Sequence, residues 1–250
     1  MCLIAWNWQP DSDTPLLLLA NRDEFYARPA KPLHWWDGGQ VLAGRDMQGG
    51  GSWLGVGRSG RIAALTNCRL PVTEAGIKPS RGTLVTDFLQ GDMDATSYLA
   101  TLSASADDYN PFNLLVCDGQ RLMGLESRSK QVISLAAGLG AVSNADFHTP
   151  WPKVTRLKSG LQAQLLAGRT EMVDLLPLLR DTTLAPNDEL PRTGVSLELE
   201  RLLSATFVTS EHYGTRACSV ITRQRKKLMF FEESHGPRGM LGVAQQFLTI

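Results

Sequence analysis

Apolar residues in this chain fall into short runs whose period changes along the sequence. Cys2–Trp8 and Pro15–Asn21 flank a turn containing Asp, Ser and Pro at Pro10–Pro15, which predicts a β-hairpin. Ser52–Gly57 and Arg61–Asn67 flank Arg58–Gly60 in the same way, with Gly60 free to take a positive φ. Between Ser80 and about Ala106 the spacing of Leu84, Phe88, Met93, Leu99 and Leu102, broken at Gly91, predicts two short helices. Strands return at Phe112–Cys117, Arg121–Ser127 and Gln131–Leu135, with Asp118-Gly119 as a turn signal, and again at Gly140–Asn144. Thr149-Pro150 reads as an N-cap and first helical position for a helix from Trp151 to Ala167. Further helices are expected at Glu171–Asp181 and Ser196–Phe207, and closing strands at Arg216–Arg223, Leu228–Ser234 and Val243–Thr249.

Blocks of hairpins separated by blocks of helices predict an α+β fold, with antiparallel sheets covered by helical layers rather than alternating βαβ units. No Pro-, Gly- or Ser-rich linker, low-complexity tract or repeat divides the sequence, so residues 1–250 are expected to form one domain.

Composition narrows the partners. The 25 basic residues balance the 25 acidic ones, and a chain without net charge lacks the positive field that draws nucleic acid or an anionic membrane surface. The one basic cluster, Arg223 to Lys227, fits a solvated hairpin turn. Cys2, Cys68, Cys117 and Cys218 are too scattered for a disulfide framework or a zinc motif, and the four histidines show no ligand spacing, so no metal is expected. The longest apolar run, Leu16 to Ala20, is far short of a membrane span, and no secretory signal precedes it; the expected location is cytoplasmic.

Candidate chemistry begins at position 2. Removal of Met1 would leave Cys2 with both a thiol and a free α-amine, whose ordinary pKa of about 7.7–8.0 suits it to accept a proton at neutral pH. Such a residue can activate itself as a nucleophile. Asn21-Arg22-Asp23-Glu24 follows the Leu16–Ala20 run where the hairpin returns the chain beside Cys2. An Arg there would favour thiolate, and an Asp could orient an α-ammonium. Asn67 and Asn144 each stand at the end of an apolar strand, where a neutral amide donor suits a developing oxyanion. Arg216, entering the strand Ala217–Thr222, fits substrate anchoring or a buried ion pair. Gly49-Gly50-Gly51 lacks the spacing of a phosphate loop and reads as a flexible connection bordering a pocket. Each residue also has an ordinary reading, as buried strand, ion pair or turn.

Taken in order, Cys2, Asn21-Arg22-Asp23-Glu24-Phe25, Ala27-Arg28-Pro29, Gly51-Ser52-Trp53-Leu54-Gly55, Thr66-Asn67-Cys68-Arg69, Ser143-Asn144, Thr149-Pro150-Trp151-Pro152-Lys153-Val154 and Tyr213-Gly214-Thr215-Arg216 resemble the NRDE family, also called the transport and Golgi organisation protein 2 family. The resemblance implies a four-layer αββα sandwich of the N-terminal-nucleophile (Ntn) hydrolase kind. It is distantly similar to cysteine Ntn hydrolases of the bile-salt hydrolase and penicillin V acylase type. Carried over, it implies Cys2, Arg22, Asp23, Asn67, Asn144 and Arg216 as catalytic residues, and Asn21, Glu24, Trp53 and Arg69 as substrate-binding ones. In those hydrolases the Arg and Asp are spaced apart. Here they are adjacent, so both face Cys2 only if the strand has ended or bulges.

Two functions follow from the resemblance. One is hydrolysis of a linear amide or related acyl bond, which requires no cofactor. The other is non-catalytic binding and trafficking of haem, an acyl-CoA or a lipid, with Cys2 or a histidine as the haem ligand; the aromatic segment His34-Trp35-Trp36 fits that reading or simple packing at a sheet edge. Neither the substrate nor the oligomeric state can be read from these residues.

Overall fold

The computed structural model describes residues 2–69, 78–147 and 149–250. Met1, whose removal is expected, and His148 lie outside these ranges.

One sheet contains, in spatial order, Gly138–Val142 (β10), Cys2–Trp8 (β1), Leu16–Phe25 (β2), Tyr213–Arg223 (β11), Lys227–Gly236 (β12) and Gly239–Thr249 (β13). The other contains Ala30–Trp35 (β3), Val41–Asp46 (β4), Leu54–Gly57 (β5), Ile62–Asn67 (β6), Phe112–Cys117 (β7), Leu122–Glu126 (β8) and Gln131–Ser134 (β9) in chain order. Every pairing between these strands is antiparallel.

Alternation along the strands sorts the apolar residues into three interiors. Ile4, Trp6, Leu16, Leu18, Leu115 and Phe230 fill the space between the sheets. Val85, Phe88, Leu99 and Leu114 pack the helices Gly82–Gln90 (α1) and Ala95–Ala104 (α2) onto the seven-stranded sheet. Leu3, Leu17, Leu19, Leu157, Leu161 and Leu175 pack Pro152–Leu166 (α3) and Met172–Leu179 (α4) onto the other. A short helix, Leu197–Leu202 (α5), is capped by Ser196, whose hydroxyl accepts from Leu199 N. The result is the expected α+β sandwich, with layers α, β, β, α. Among the described residues no helix is long and apolar enough to cross a membrane.

The sequence pattern missed β3 and β4. Lys31 and Pro32 interrupt the apolar alternation of β3, and its pairing with β4 shifts register between Lys31 and His34. Trp35 and Trp36 point to opposite sides: one packs on the inter-sheet core and the other on the α1–α2 layer. The helix α3 starts later than expected. Trp151 is its N-cap and Pro152 its first residue, whereas Thr149-Pro150 belongs to the preceding loop.

The most consequential difference is in β2. Asn21–Phe25 do not follow the strand but continue it, because β11 pairs with β2 beyond the end of β1, placing Tyr213 opposite Phe25 and Thr215 opposite Asp23. That partner lies about 190 residues downstream in sequence and is invisible to local alternation.

Candidate active site

Cys2 opens β1 directly opposite Arg22 in the β1–β2 ladder. Even-numbered residues of these strands face the other sheet, so the Cys2 thiol and the Arg22 side chain share that face. Asn21 and Asp23 face the helix layer, as Leu17 and Leu19 do. The strand's continuation thus decides the adjacency question: Arg22 shares the thiol's side and Asp23 does not.

Cys2 is 8% exposed and borders a cleft of about 520 Å³. Arg22, Glu24, Trp53, Asn67 and Arg81 line the same cleft. The Arg22 guanidinium stacks 4.4 Å above the Trp53 ring, and its Nη2 donates to Asp46 Oδ2 at 3.0 Å. Its Nη1 is buried and has no hydrogen-bond partner among the described residues. That nitrogen is enclosed in the cleft wall, so it is a spare donor that a ligand meets only if the wall rearranges. Trp53 reaches this position because Gly44 lies beneath it; a Cβ at Gly44 would sit 2.4 Å from the indole ring.

Asp46 organises the cationic side of the cleft. It accepts from Arg22 and from Arg28 Nε (2.7 Å) on one oxygen, and from the Gln48 and Gly49 N–H groups on the other. Burial works against its charge, but the hydrogen bonds from Arg28 and Gly49 hold its carboxyl below the usual value. Gly49 and Gly51 do border the cleft, and Gly51 packs so closely on Gly82 at the start of α1 that a Cβ would lie 2.2 Å from Gly82 C. Burial pushes the Cys2 thiol up, with Arg22 pulling the other way. As it stands, the thiol is held protonated until a further positive charge or base acts on it.

Asn67 ends β6 on the cleft wall. Asn144 lies beyond the end of β10 and does not line the cleft; its Nδ2 donates to Asn67 O at 2.8 Å, and its Oδ1 faces Ser143 Oγ (3.0 Å) and Lys153 Nζ (3.3 Å). The same Ser143 hydroxyl lies 3.0 Å from Cys2 O. With one proton, it can donate to only one of these two acceptors at a time. Asn144 therefore supports the Asn67 backbone and sits in the network behind Cys2.

Asp23 is fully buried; its Oδ1 accepts from Thr215 Oγ1 at 2.7 Å, and its Oδ2 lies 3.9 Å from Lys153 Nζ. Lys153, the second residue of α3, is equally enclosed. Burial lowers its pKa while Asp23 opposes the shift. Asn21 donates both amide hydrogens, to Leu179 O (2.7 Å) and Thr206 O (2.8 Å), and so tethers the helix layer instead of facing the cleft. Arg69 is paired with Glu200 and stacked 4.8 Å over Trp151, also away from the cleft. Arg216 is the extra residue of a β-bulge, between Thr215 opposite Asp23 and Ala217 opposite Arg22. Its Nη1 donates to Phe25 O and Arg28 O, both at 3.0 Å, so it clamps the turn after β2 and lies outside the Cys2 cleft.

Of the ten candidates, the structure gathers Cys2, Arg22, Glu24, Trp53 and Asn67 at one cleft. Asn21, Asp23, Asn144, Arg69 and Arg216 stand behind it. Sequence reasoning passed over Arg28, Asp46, Arg81 and Lys153 as site residues. Arg28 and Lys153 stand inside quoted motifs, which was the only available signal.

This layered α+β sandwich is the Ntn-hydrolase-like fold. A Caenorhabditis elegans ortholog of N-acylethanolamine-hydrolyzing acid amidase superposes with a TM-score of 0.52 at 11% identity, covering 88% of this chain and 92% of that one. The C2A mutant of the conjugated bile acid hydrolase from Clostridium perfringens superposes with a TM-score of 0.54 at 9% identity, covering 98% and 92%. At these identities the likeness establishes the fold. The family is fixed by sequence: residues 1–236 match the family described as Transport and Golgi organisation 2. The chain belongs to that family. It is 35% identical to the Bos taurus transport and Golgi organization protein 2 homolog, over 97% of this chain and 94% of the relative. It is 33% identical to the Homo sapiens homolog, over 88% of each.

Proposed function

We propose that the chain, once Met1 is removed, is a cysteine Ntn hydrolase of a linear amide or related acyl bond in a small molecule. The observation that carries this reading is the shared cleft, lined by the second-position thiol, by a stacked arginine whose Nη1 is buried with no hydrogen-bond partner among the described residues, and by Asn67 at the end of β6. In the proposed reaction the new α-amine takes the thiol proton, and the thiolate attacks the substrate carbonyl. The Asn67 amide donates to the oxyanion. The amine then protonates the leaving nitrogen, leaving a thioester that water hydrolyses. Arg22 stabilises the thiolate. Asp23 faces the helix layer, but a main-chain nitrogen lies in the plane of the sheet, so this carboxylate suits orienting the α-amine more than touching the thiol. Asn144 and Arg216 act as positioning residues.

The cationic lining supports a substrate bearing an anionic group, since Glu24 and Asp46 are already engaged with Arg22 and Arg28, while Arg81 and Lys78 donate to main-chain carbonyls and add positive charge. The test is incubation of mature protein with a panel of activated acyl amides, read by intact mass. A stable acyl adduct on Cys2 supports the reading. Absence of any adduct, with Cys2 mature and alkylatable, counts against it.

The haem-carrier reading has a narrower basis. Of the described histidines, none lines the Cys2 cleft, so haem bound there would take Cys2 as its axial ligand. A Soret shift abolished by Cys2→Ala would support that function; an unshifted spectrum at saturating protein would exclude it.

A further inference from the structure

A second cluster of reactive side chains lies on the helix-facing side of the six-stranded sheet, none of it lining the Cys2 cleft. Cys218 on β11 stands directly opposite Glu233 on β12, and His235 follows Glu233 by two residues, so all three share one face. They are 0%, 2% and 8% exposed respectively. One ligand atom from each lies within 4.8 Å of the others. The His235 Nε2 atom is buried, lies 3.4 Å from Glu233 Oε2, and makes no well-formed hydrogen bond among the described residues. The Phe207 ring packs edge-on against the imidazole, with centroids 5.0 Å apart.

We propose that Cys218, Glu233 and His235 form a binding site for one divalent transition-metal ion of the zinc type. Thiolate, imidazole and carboxylate are the donors such ions select, and a hard cation such as Mg²⁺ prefers an all-oxygen shell. Three protein donors leave a fourth position for water. The thiolate and carboxylate supply two negative charges, but the carboxylate's is shared with a guanidinium, so one positive charge stays uncompensated at the loaded site. Arg180, at the end of α4, also holds Glu233 through both its oxygens. A carboxylate oxygen has two lone pairs, so Glu233 can accept from Arg180 and still coordinate; Arg180 then orients the ligand. The coordinating forms are neutral imidazole and thiolate, and His235 Nε2 is buried without a well-formed hydrogen bond among the described residues. Coordination therefore exchanges the S–H bond for an S–metal bond and releases one proton per ion.

Chelator-stripped full-length protein is titrated with Co²⁺, and then with Zn²⁺ in competition. The expected result is a 1:1 complex with a near-ultraviolet thiolate-to-cobalt band, bleached by Zn²⁺ and untouched by Mg²⁺. His235→Gln and Cys218→Ser are each expected to weaken binding at least about 100-fold, beyond the loss typical of an outer-shell change. Cys2→Ala is expected to retain the band. If Cys218→Ser does not fold, His235→Gln carries the test alone. A missing band, a band that survives in His235→Gln, or a band lost in Cys2→Ala would each overturn the proposal.

Discussion

The polar end of β2 gives its two faces different environments. On the helix-facing side, Asn21 and Asp23 are enclosed: the asparagine spends both amide hydrogens on the carbonyls of Leu179 and Thr206, and the aspartate holds Thr215 and lies near Lys153. On the other side, Arg22 and Glu24 line the Cys2 cleft, and one Arg22 nitrogen is buried with no hydrogen-bond partner among the described residues. Four consecutive residues thus divide by strand alternation into an enclosed pair behind the site and a pair that lines the cleft. Satisfied polar groups hold a fold together, while those with spare capacity beside a cavity are available to a ligand.

Substitutions on the two faces should separate chemistry from stability. The largest effect is expected from Cys2→Ala, which should abolish covalent acylation and leave the melting temperature nearly unchanged; residual labelling at another thiol would misplace the nucleophile. Asn67→Ala should slow acyl-enzyme formation by about 10²–10³, the cost of one oxyanion donor at about 2.7–4 kcal/mol, measured by rapid-quench mass spectrometry. A rate within a factor of three of the parent would remove Asn67 from the oxyanion site.

On the opposite face, Asn21→Ala orphans two buried carbonyls at about 1–3 kcal/mol each, for a loss of about 2–6 kcal/mol in chemical denaturation. The folded fraction should still acylate at the parental rate; a stable variant that fails to react would place Asn21 in the chemistry instead.

The smallest effect concerns pH. Burial raises the Glu232 carboxyl on β12 from 4.5 to about 7, against the hydrogen bond from Leu33 N. The folded protein therefore binds the extra proton between those values, and the stability it contributes is full below about 4.5 and is lost as pH rises through about 7. Glu232→Gln should flatten that part of the stability–pH curve; an unchanged slope would show that this carboxyl does not govern it.

The β1–β2 hairpin was legible because two apolar runs and the turn between them lie within 25 residues of each other, and similar apolar runs marked β7 and the core of β11. What local pattern could not supply was pairing over long range. The extension of β2 depends on β11, and the division between Arg22 and Asp23 follows from that extension. At the site, motif order pointed to Cys2, Arg22 and Asn67, which the structure brings to one cleft. It could not separate Asn67 from Asn144, since each follows an apolar run and a hydroxyl residue in the sequence and only the fold shows which borders the cavity. Arg216 likewise reads as a site residue in sequence, whereas a bulge turns it onto main-chain carbonyls. Asp46 ends a six-residue strand, Val41–Asp46, with no apolar–polar alternation, so its grip on Arg22 and Arg28 had no sequence signature.

The central claim is that a matured Cys2 is a nucleophile in the cleft it shares with Arg22 and Asn67. Intact-mass analysis of purified protein before and after exposure to an activated acyl amide tests both halves. The expected result is a chain lacking Met1 that gains one acyl group mapped to Cys2, with no gain in Cys2→Ala. Retention of Met1, or acylation that persists without Cys2, would contradict it.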